Sequence, residues 1–342
     1  MRDQSSSLAP TVRPNPATLP PAWAAQVVAP GRVEMVEVFL TRPGAGQVRA
    51  RIEGCGVCAS NLEPWSGPEW QSFPMEPGAM GHEAWGVVEA LGEGVGDLRE
   101  GQRIAWAGSH GYASHEIVAV AAALPLPDAL AGRPVPAEPL GCAMNIFRRA
   151  QVTSGQNVAI IGIGFLGGAL TALAAQAGAR VIAISRREGS LDLARRMGAT
   201  DVIPMHDHWE IMREVGRLTG DRLADVVIEA VGLQWPLDLA GELVREGGRL
   251  VIAGYHQDGP RQVNMQMWNW KGIDVVSAHE RDPEMQRRGM REGIAAVAEG
   301  RLNLDALVTH RYPLSELDRA LDITRDRPEG FVKAWVSPES AT

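Results

Sequence analysis

Six residues constrain this chain more than any others: Gly162-Ile163-Gly164-Phe165-Leu166-Gly167. They end Asn157–Ile163, a short apolar run bounded by glycine, as a buried parallel strand requires. They also open Phe165–Ala177, which is helical in composition. Three glycines in six residues are a weak signal alone, but between a strand and a helix each has a mechanical role. The first allows the tight turn, the second lets a pyrophosphate approach the backbone, and the third lets helix and strand pack closely. The helix N-terminus then faces the anion. The spacing predicts a dinucleotide site built on Gly162, Gly164, Phe165, Leu166 and Gly167.

The surrounding pattern supports a doubly wound parallel sheet. Strands are expected at Arg180–Ile184, Asp201–Ile203, Asp225–Glu229, Gly248–Ala253 and Ile273–Ser277, alternating with helices at Leu191–Met197, His208–Leu218 and Leu237–Arg245. Upstream the character differs. Short apolar runs at Val33–Phe39, Gln47–Ile52, Ala84–Leu91, Arg103–Ala107 and Ser114–Val120, separated by Gly and Pro, predict a β-barrel-like unit. A Pro-rich passage, Pro125 to Pro139, divides the two regions. Beyond His279 come a long helix (Pro283–Glu299), Val308–Tyr312, a short helix (Leu314–Thr324) and a strand, Gly330–Val336, expected to return to the first unit.

At 342 residues the chain suits two domains. Its net charge of −8 opposes general nucleic-acid binding, which needs clustered cations to displace counterions. No apolar run is long enough for a membrane helix. Residues 1–21 are polar and rich in Pro and Ser, which predicts a flexible tail without a signal-peptide core. Cys55, Cys58 and Cys142 are an odd set, so thiols kept reduced in the cytoplasm are expected, as core residues or metal ligands.

The second predicted strand ends at Ile184 and runs into Ser185-Arg186-Arg187. An NAD-selective site carries an acid there for the ribose hydroxyls. A hydroxyl and two guanidiniums suit a 2′-phosphate instead, so NADP(H) is expected over NAD(H).

Three further clusters lie in the β-rich region: Gly54-Cys55-Gly56-Val57-Cys58-Ala59-Ser60-Asn61, Gly81-His82-Glu83, and Glu138-Pro139-Leu140-Gly141-Cys142. In order and spacing they resemble the zinc-dependent medium-chain dehydrogenases/reductases, the superfamily of alcohol, sorbitol and threonine dehydrogenases. The resemblance runs from about residue 23 to 336 and includes Val308-Thr309-His310-Arg311-Tyr312-Pro313-Leu314. It implies an α/β plus β architecture: a GroES-like β-barrel catalytic domain from 22–148 and 279–342, and a Rossmann domain from 149–278.

The resemblance also implies a site. Cys58 and His82 would be zinc ligands. Glu138 falls where sorbitol-type members hold a Glu and alcohol-type members a Cys, so it ranks first for the third ligand, ahead of Glu83 and then Cys142. A thiolate, an imidazole and a carboxylate leave one tetrahedral position open, where zinc acts as a Lewis acid during hydride transfer to the nicotinamide. Ser60 matches the hydroxyl that relays the alcohol proton. Three departures stand out. Four closely spaced cysteines are missing, so one catalytic zinc and no structural zinc is expected. Asn61 replaces an Asp that normally orients a ligand histidine. Glu63 stands where many members place a relay histidine, and it is a candidate for that role.

The expected activity is interconversion of a secondary alcohol of polyol, sugar or cyclitol type with its carbonyl, by a homodimer or homotetramer. Trp65, and less strongly Trp70, Trp106 and His110, are candidates to line the substrate cleft. Two alternatives have discriminating features. A zinc-free quinone- or enoyl-type reductase would lack the Cys58, His82 and Glu138 set. A non-catalytic NADPH-binding protein would not need Ser60 or an open ligand position.

Overall fold

The computed structural model describes residues 21–338; the tail expected over 1–21 lies, but for Pro21, outside the described residues. The β-rich region begins with the strands β1 (Ala22–Ala29), β2 (Arg32–Val38) and β3 (Gln47–Gly56). The short helix α1 (Leu62–Ser66) follows, then β4 (Ala84–Leu91), β5 (Arg103–Trp106), β6 (His115–Ala119) and β7 (Leu124–Pro125). A helix, α2 (Ala137–Ala150), leads to the parallel region: β8 (Asn157–Ile161), α3 (Phe165–Gln176), β9 (Arg180–Ser185), α4 (Glu188–Arg196), β10 (Asp201–Pro204) and α5 (His208–Thr219). It continues through β11 (Ala224–Glu229), α6 (Gln234–Leu243), β12 (Val244–Ile252), α7 (Met265–Lys271) and β13 (Asp274–Ser277). The chain closes with α8 (Pro283–Ala298), α9 (Leu304–Leu307), β14 (His310–Pro313), α10 (Leu317–Asp326) and β15 (Ala334–Ser337).

Among the described residues β8 to β13 form one parallel sheet in the order β10-β9-β8-β11-β12-β13. Strand β8 lies between β9 and β11, so the connections leave in opposite directions from its carboxyl end. That switch point opens the crevice where doubly wound sheets take ligands. Val158 to Ile161 are completely buried, because helices cover both faces of the sheet.

The second large sheet runs β14-β15-β3-β4-β5-β7, with β6 also on β3. The chain's last strand joins it: Trp335 pairs with Gly56 and Val336 with Cys55. The expected return of the C-terminal segment is therefore seen as a strand pairing. A separate hairpin, β1 with β2, packs on this sheet.

The glycine loop shows how local sequence places the crevice. Gly162 sits at φ +93°, and a Cβ there would lie 2.4 Å from Val231 Cγ2. A Cβ on Gly167 would lie 2.0 Å from the Gly162 carbonyl, so only glycine lets α3 start against β8. Gly164 differs, since a Cβ there would meet nothing within 4 Å. Gly167→Ala should therefore cost roughly 1–3 kcal/mol through overpacking. Gly164→Ala should leave stability unchanged. Urea unfolding of the two variants checks this, and equal midpoints would contradict it.

Candidate functional site

Strand register assembles the candidate metal centre. Cys55 pairs with Ala84 across β3 and β4, which puts Cys58, beyond the end of β3, beside His82 and Glu83, ahead of β4. The Gly56 N–H donates to the Glu83 carbonyl at 3.1 Å and locks the junction. A Cβ on Gly56 would lie 1.8 Å from Glu83 Oε2, so this glycine makes the room in which the carboxylate sits. The ligand atoms of Cys58, His82 and Glu83 all lie within 4.8 Å of one another.

The imidazole is oriented. His82 Nδ1 lies 2.8 Å from the Met80 carbonyl, which only accepts, so Nδ1 carries a proton and Nε2 is the ring nitrogen left for a metal. Burial opposes a charge on this ring. The hydrogen bond with Cys58 and the charges of Cys58, Glu83 and Glu138 outweigh that and push it up to about 10. The pocket thus holds a negative potential that favours a cation. A soft thiol, an imidazole nitrogen and carboxylate oxygens form a donor set that suits zinc.

Asn61 organises this centre through neutral bonds. Its Oδ1 accepts from the Cys58 N–H (3.3 Å) and from the Tyr112 hydroxyl (2.9 Å), and its Nδ2 donates to the Met80 carbonyl (3.1 Å). Met80 therefore receives both Asn61 and His82. The Asp that Asn61 replaces could not donate to that carbonyl, so the change is part of a different way of holding the histidine.

Sequence reasoning missed the residue that completes the cluster. Lys333 is buried, and its ammonium donates to Glu83 Oε1 at 2.8 Å and lies 2.7 Å from Oε2. It also donates to the Val57 carbonyl (3.2 Å) and sits 5.3 Å from the centre of the Phe165 ring. Burial lowers its pKa, but the charges of Glu83 and Cys58 outweigh this and raise it, so it stays cationic. The available signal was a lone lysine inside the apolar run Phe331-Val332-Lys333-Ala334-Trp335-Val336.

Glu138 stands in the first turn of α2 and accepts a hydrogen bond from Cys142 Sγ at 3.2 Å, one helical turn on. Burial, then the charge of Glu83, pushes its carboxyl up. It faces the same pocket electrostatically but lies outside the close group of three. Ser60 and Glu63 follow Cys58 on the turn and on α1, both half-buried. Two aromatic candidates belong to the core instead. Trp65 is buried with its indole N–H toward Asp322 (3.4 Å), and Trp106 donates to Glu116 (2.7 Å). Trp70 is exposed, and His110 pairs with Glu76 at 2.9 Å.

On the crevice side, Ser185 is buried at the end of β9 and Arg186 is exposed. Arg187 instead turns to the C-terminal segment, its Nη1 donating to the Arg327, Pro328 and Phe331 carbonyls. At the end of β11, buried Glu229 accepts from the Val231 and Gly232 N–H groups (2.7 Å each) and pairs with His256 at 3.1 Å, bracing the crevice wall.

Comparison with known proteins agrees with this geometry. The model of the alcohol dehydrogenase GroES-like domain matches residues 44–186, and that of the zinc-binding dehydrogenase matches 166–295. The chain is 27% identical to an alcohol dehydrogenase of Cupriavidus necator, over 92% of this chain and 98% of that protein. It is 28% identical to an erythritol/L-threitol dehydrogenase of Mycolicibacterium smegmatis, over 90% and 94%. A zinc-binding dehydrogenase from Sinorhizobium meliloti, solved bound to NADP, superposes with a TM-score of 0.79 at 25% identity, covering 94% of this chain and all of that one. The chain belongs to the zinc-type medium-chain dehydrogenase/reductase superfamily, and it is an oxidoreductase of CH–OH groups.

Removing one partner of a buried ion pair strands the other. Lys333→Met should cost about 3–5 kcal/mol, and adding Glu83→Gln should recover much of it. Chemical denaturation of the single and double variants reads this, and a neutral Lys333→Met would refute the pairing.

Proposed function

We propose that this protein is an NADP(H)-preferring, zinc-dependent dehydrogenase that interconverts a secondary alcohol of polyol, sugar or cyclitol type with its carbonyl. The observation that carries this reading is the convergence of Cys58, His82 and the buried Glu83 carboxylate, whose partner Lys333 lies against the Phe165 ring of the glycine loop. The erythritol/L-threitol relative supports a polyol, and the NADP-bound Sinorhizobium structure supports the cofactor.

Zinc, when bound, polarises the substrate oxygen, and the nicotinamide accepts or supplies the hydride. Cys58 Sγ and His82 Nε2 are two of its ligands in this reading. Glu138 is the third, because coordination by Glu83 would pull that carboxylate away from both contacts with Lys333. Glu83 stays as a fixed charge beside the site, and the Met80 carbonyl keeps the His82 tautomer correct. Ser60 passes the alcohol proton outward, and Glu63 on the next turn takes it toward solvent. Ser185 and Arg186 face the 2′-phosphate at the end of β9.

The remaining assignments follow the same reading: a single catalytic zinc per chain, a small-molecule alcohol or carbonyl as substrate, and a cytoplasmic enzyme. No helix among the described residues is long and apolar enough to cross a membrane. Edge strand β13 exposes Val275, and nearby Met265 and Trp270 are exposed too, which supports pairing with a second copy in a homodimer or homotetramer.

Metal analysis of the purified protein should find one zinc per chain, lost in Cys58→Ala and Glu138→Gln and retained in Glu83→Gln. Turnover on a polyol panel should disappear with the metal, while active protein free of metal would refute the mechanism. Ser60→Ala should keep its zinc and lose about 10²–10⁴ in kcat.

Asn61→Asp places a carboxylate against the Met80 carbonyl and removes a donor. It should weaken zinc retention about ten- to a hundredfold, the range for groups that orient ligands. Competition with a chromophoric chelator measures it, and undiminished affinity would remove Asn61 from that role.

A further inference from the structure

Of the two arginines that follow β9, the structure uses one as a strut. Arg187 precedes the first residue of α4, and its Nη1 spans the carbonyls of Arg327 (3.2 Å), Pro328 (3.5 Å) and Phe331 (3.0 Å). A guanidinium committed to three carbonyls is directed at the turn after α10. The same contact brings that turn, and Arg327 with it, to the end of β9.

Arg327 caps α10 in the left-handed region, at φ +47°, with its Nε folded back on the Thr324 carbonyl at 3.1 Å. Its chain neighbourhood and Arg186 stand close enough that crowding by protein atoms, and then the charge of Arg186, lower the guanidinium's proton affinity. Both residues are exposed. Among the described residues no carboxylate forms an ion pair with Arg186, Arg187 or Arg327, whereas nearby Arg180 and Arg195 are paired with Asp201, Glu188 and Asp192. Glu329 acts on Arg187 through its charge, but neither Arg186 nor Arg327 holds a carboxylate among the described residues, and two such adjacent cations are an arrangement that a dianionic group relieves.

We propose that Arg327 joins Arg186 as the second guanidinium of the 2′-phosphate cradle, and that Arg187 is the strut that delivers it. This rests on the NADP(H) reading above and adds a specificity-determining residue from the C-terminal segment, 141 positions after Arg186. The phosphate is then held by both halves of the chain at once. Arg327 lies six residues before Lys333, so the segment that meets the cofactor's phosphate also supplies the cation beside the metal centre.

The test is fluorescence titration of the full-length protein with NADPH and with NADH. Arg327→Asn suits the left-handed backbone and so keeps the turn. Wild-type should prefer NADPH, and Arg327→Asn should weaken NADPH about tenfold or more, as loss of a charge-assisted phosphate contact does, with NADH changed less than about twofold. Arg327→Lys should restore part of the preference. If wild-type prefers NADPH and Arg186→Ala abolishes that preference while Arg327→Asn retains it, the cofactor reading stands and the role of Arg327 is overturned. Equal weakening of both cofactors in Arg327→Asn would make the residue merely structural and overturn it too. A wild-type protein that binds NADH as tightly as NADPH would overturn both readings.

Discussion

The buried pair of Lys333 and Glu83 is the interaction around which the site is organised. It joins the last strand to the barrel strands β3 and β4, and its ammonium also reaches Phe165 of the glycine loop. Desolvating two charges is expensive, so such a pair adds little net stability over a well-packed apolar replacement. What it adds is registry. Glu83 needs the gap that Gly56 leaves and the cation that the C-terminal segment carries, so the centre assembles only when all three strand ends meet. The chain must close on itself before its chemistry exists.

Electrostatics divides the crevice into two regions. At the barrel end, Cys58, Glu83 and Glu138 surround His82 with enough negative potential to hold a proton on it far above its ordinary range, a field suited to a divalent cation. At the far end, beyond β9, Arg186, Arg187 and Arg327 gather with no carboxylate ion pair among the described residues, Glu329 acting on Arg187 only through its charge, and this excess of cations suits phosphate. Lys333 and Phe165 stand between them. A dinucleotide that carries phosphate at one end and delivers hydride at the other fits that polarity.

Much of this was legible in the residues, for physical reasons. Wholly apolar runs such as Val158–Ile161 announce buried parallel strands, and the glycine spacing announces the turn, so the parallel sheet was read closely. Boundaries failed where one element runs straight into the next: the expected helix Leu237–Arg245 stops at Leu243, and Val244 already begins β12. Helix α2 was masked because Pro136 and Pro139 made its start look like a loop, although a helix tolerates proline in its first turn. Strand β1 was not named as a strand either, although Ala22, Ala24, Ala25 and Val27 are buried along an apolar run broken only by Gln26. At the site, Cys58, His82 and Glu83 are close together through strand register; the family resemblance had pointed to Cys58 and His82 and had ranked Glu83 behind Glu138. Lys333 was invisible because its partner lies 250 residues away, and no local pattern encodes a distant ion pair. Arg187, expected at the cofactor phosphate, also holds the turn after α10 through its Nη1, a contact that no local pattern encodes.

The proposed chemistry depends on the metal. X-ray data collected at the zinc edge from crystals grown with NADPH would show anomalous density from bound zinc directly. One peak per chain is expected, about 2.3 Å from Cys58 Sγ and about 2.0–2.1 Å from His82 Nε2, beside the glycine loop. Anomalous density at another position, or none between these two side chains in catalytically active protein, would contradict it.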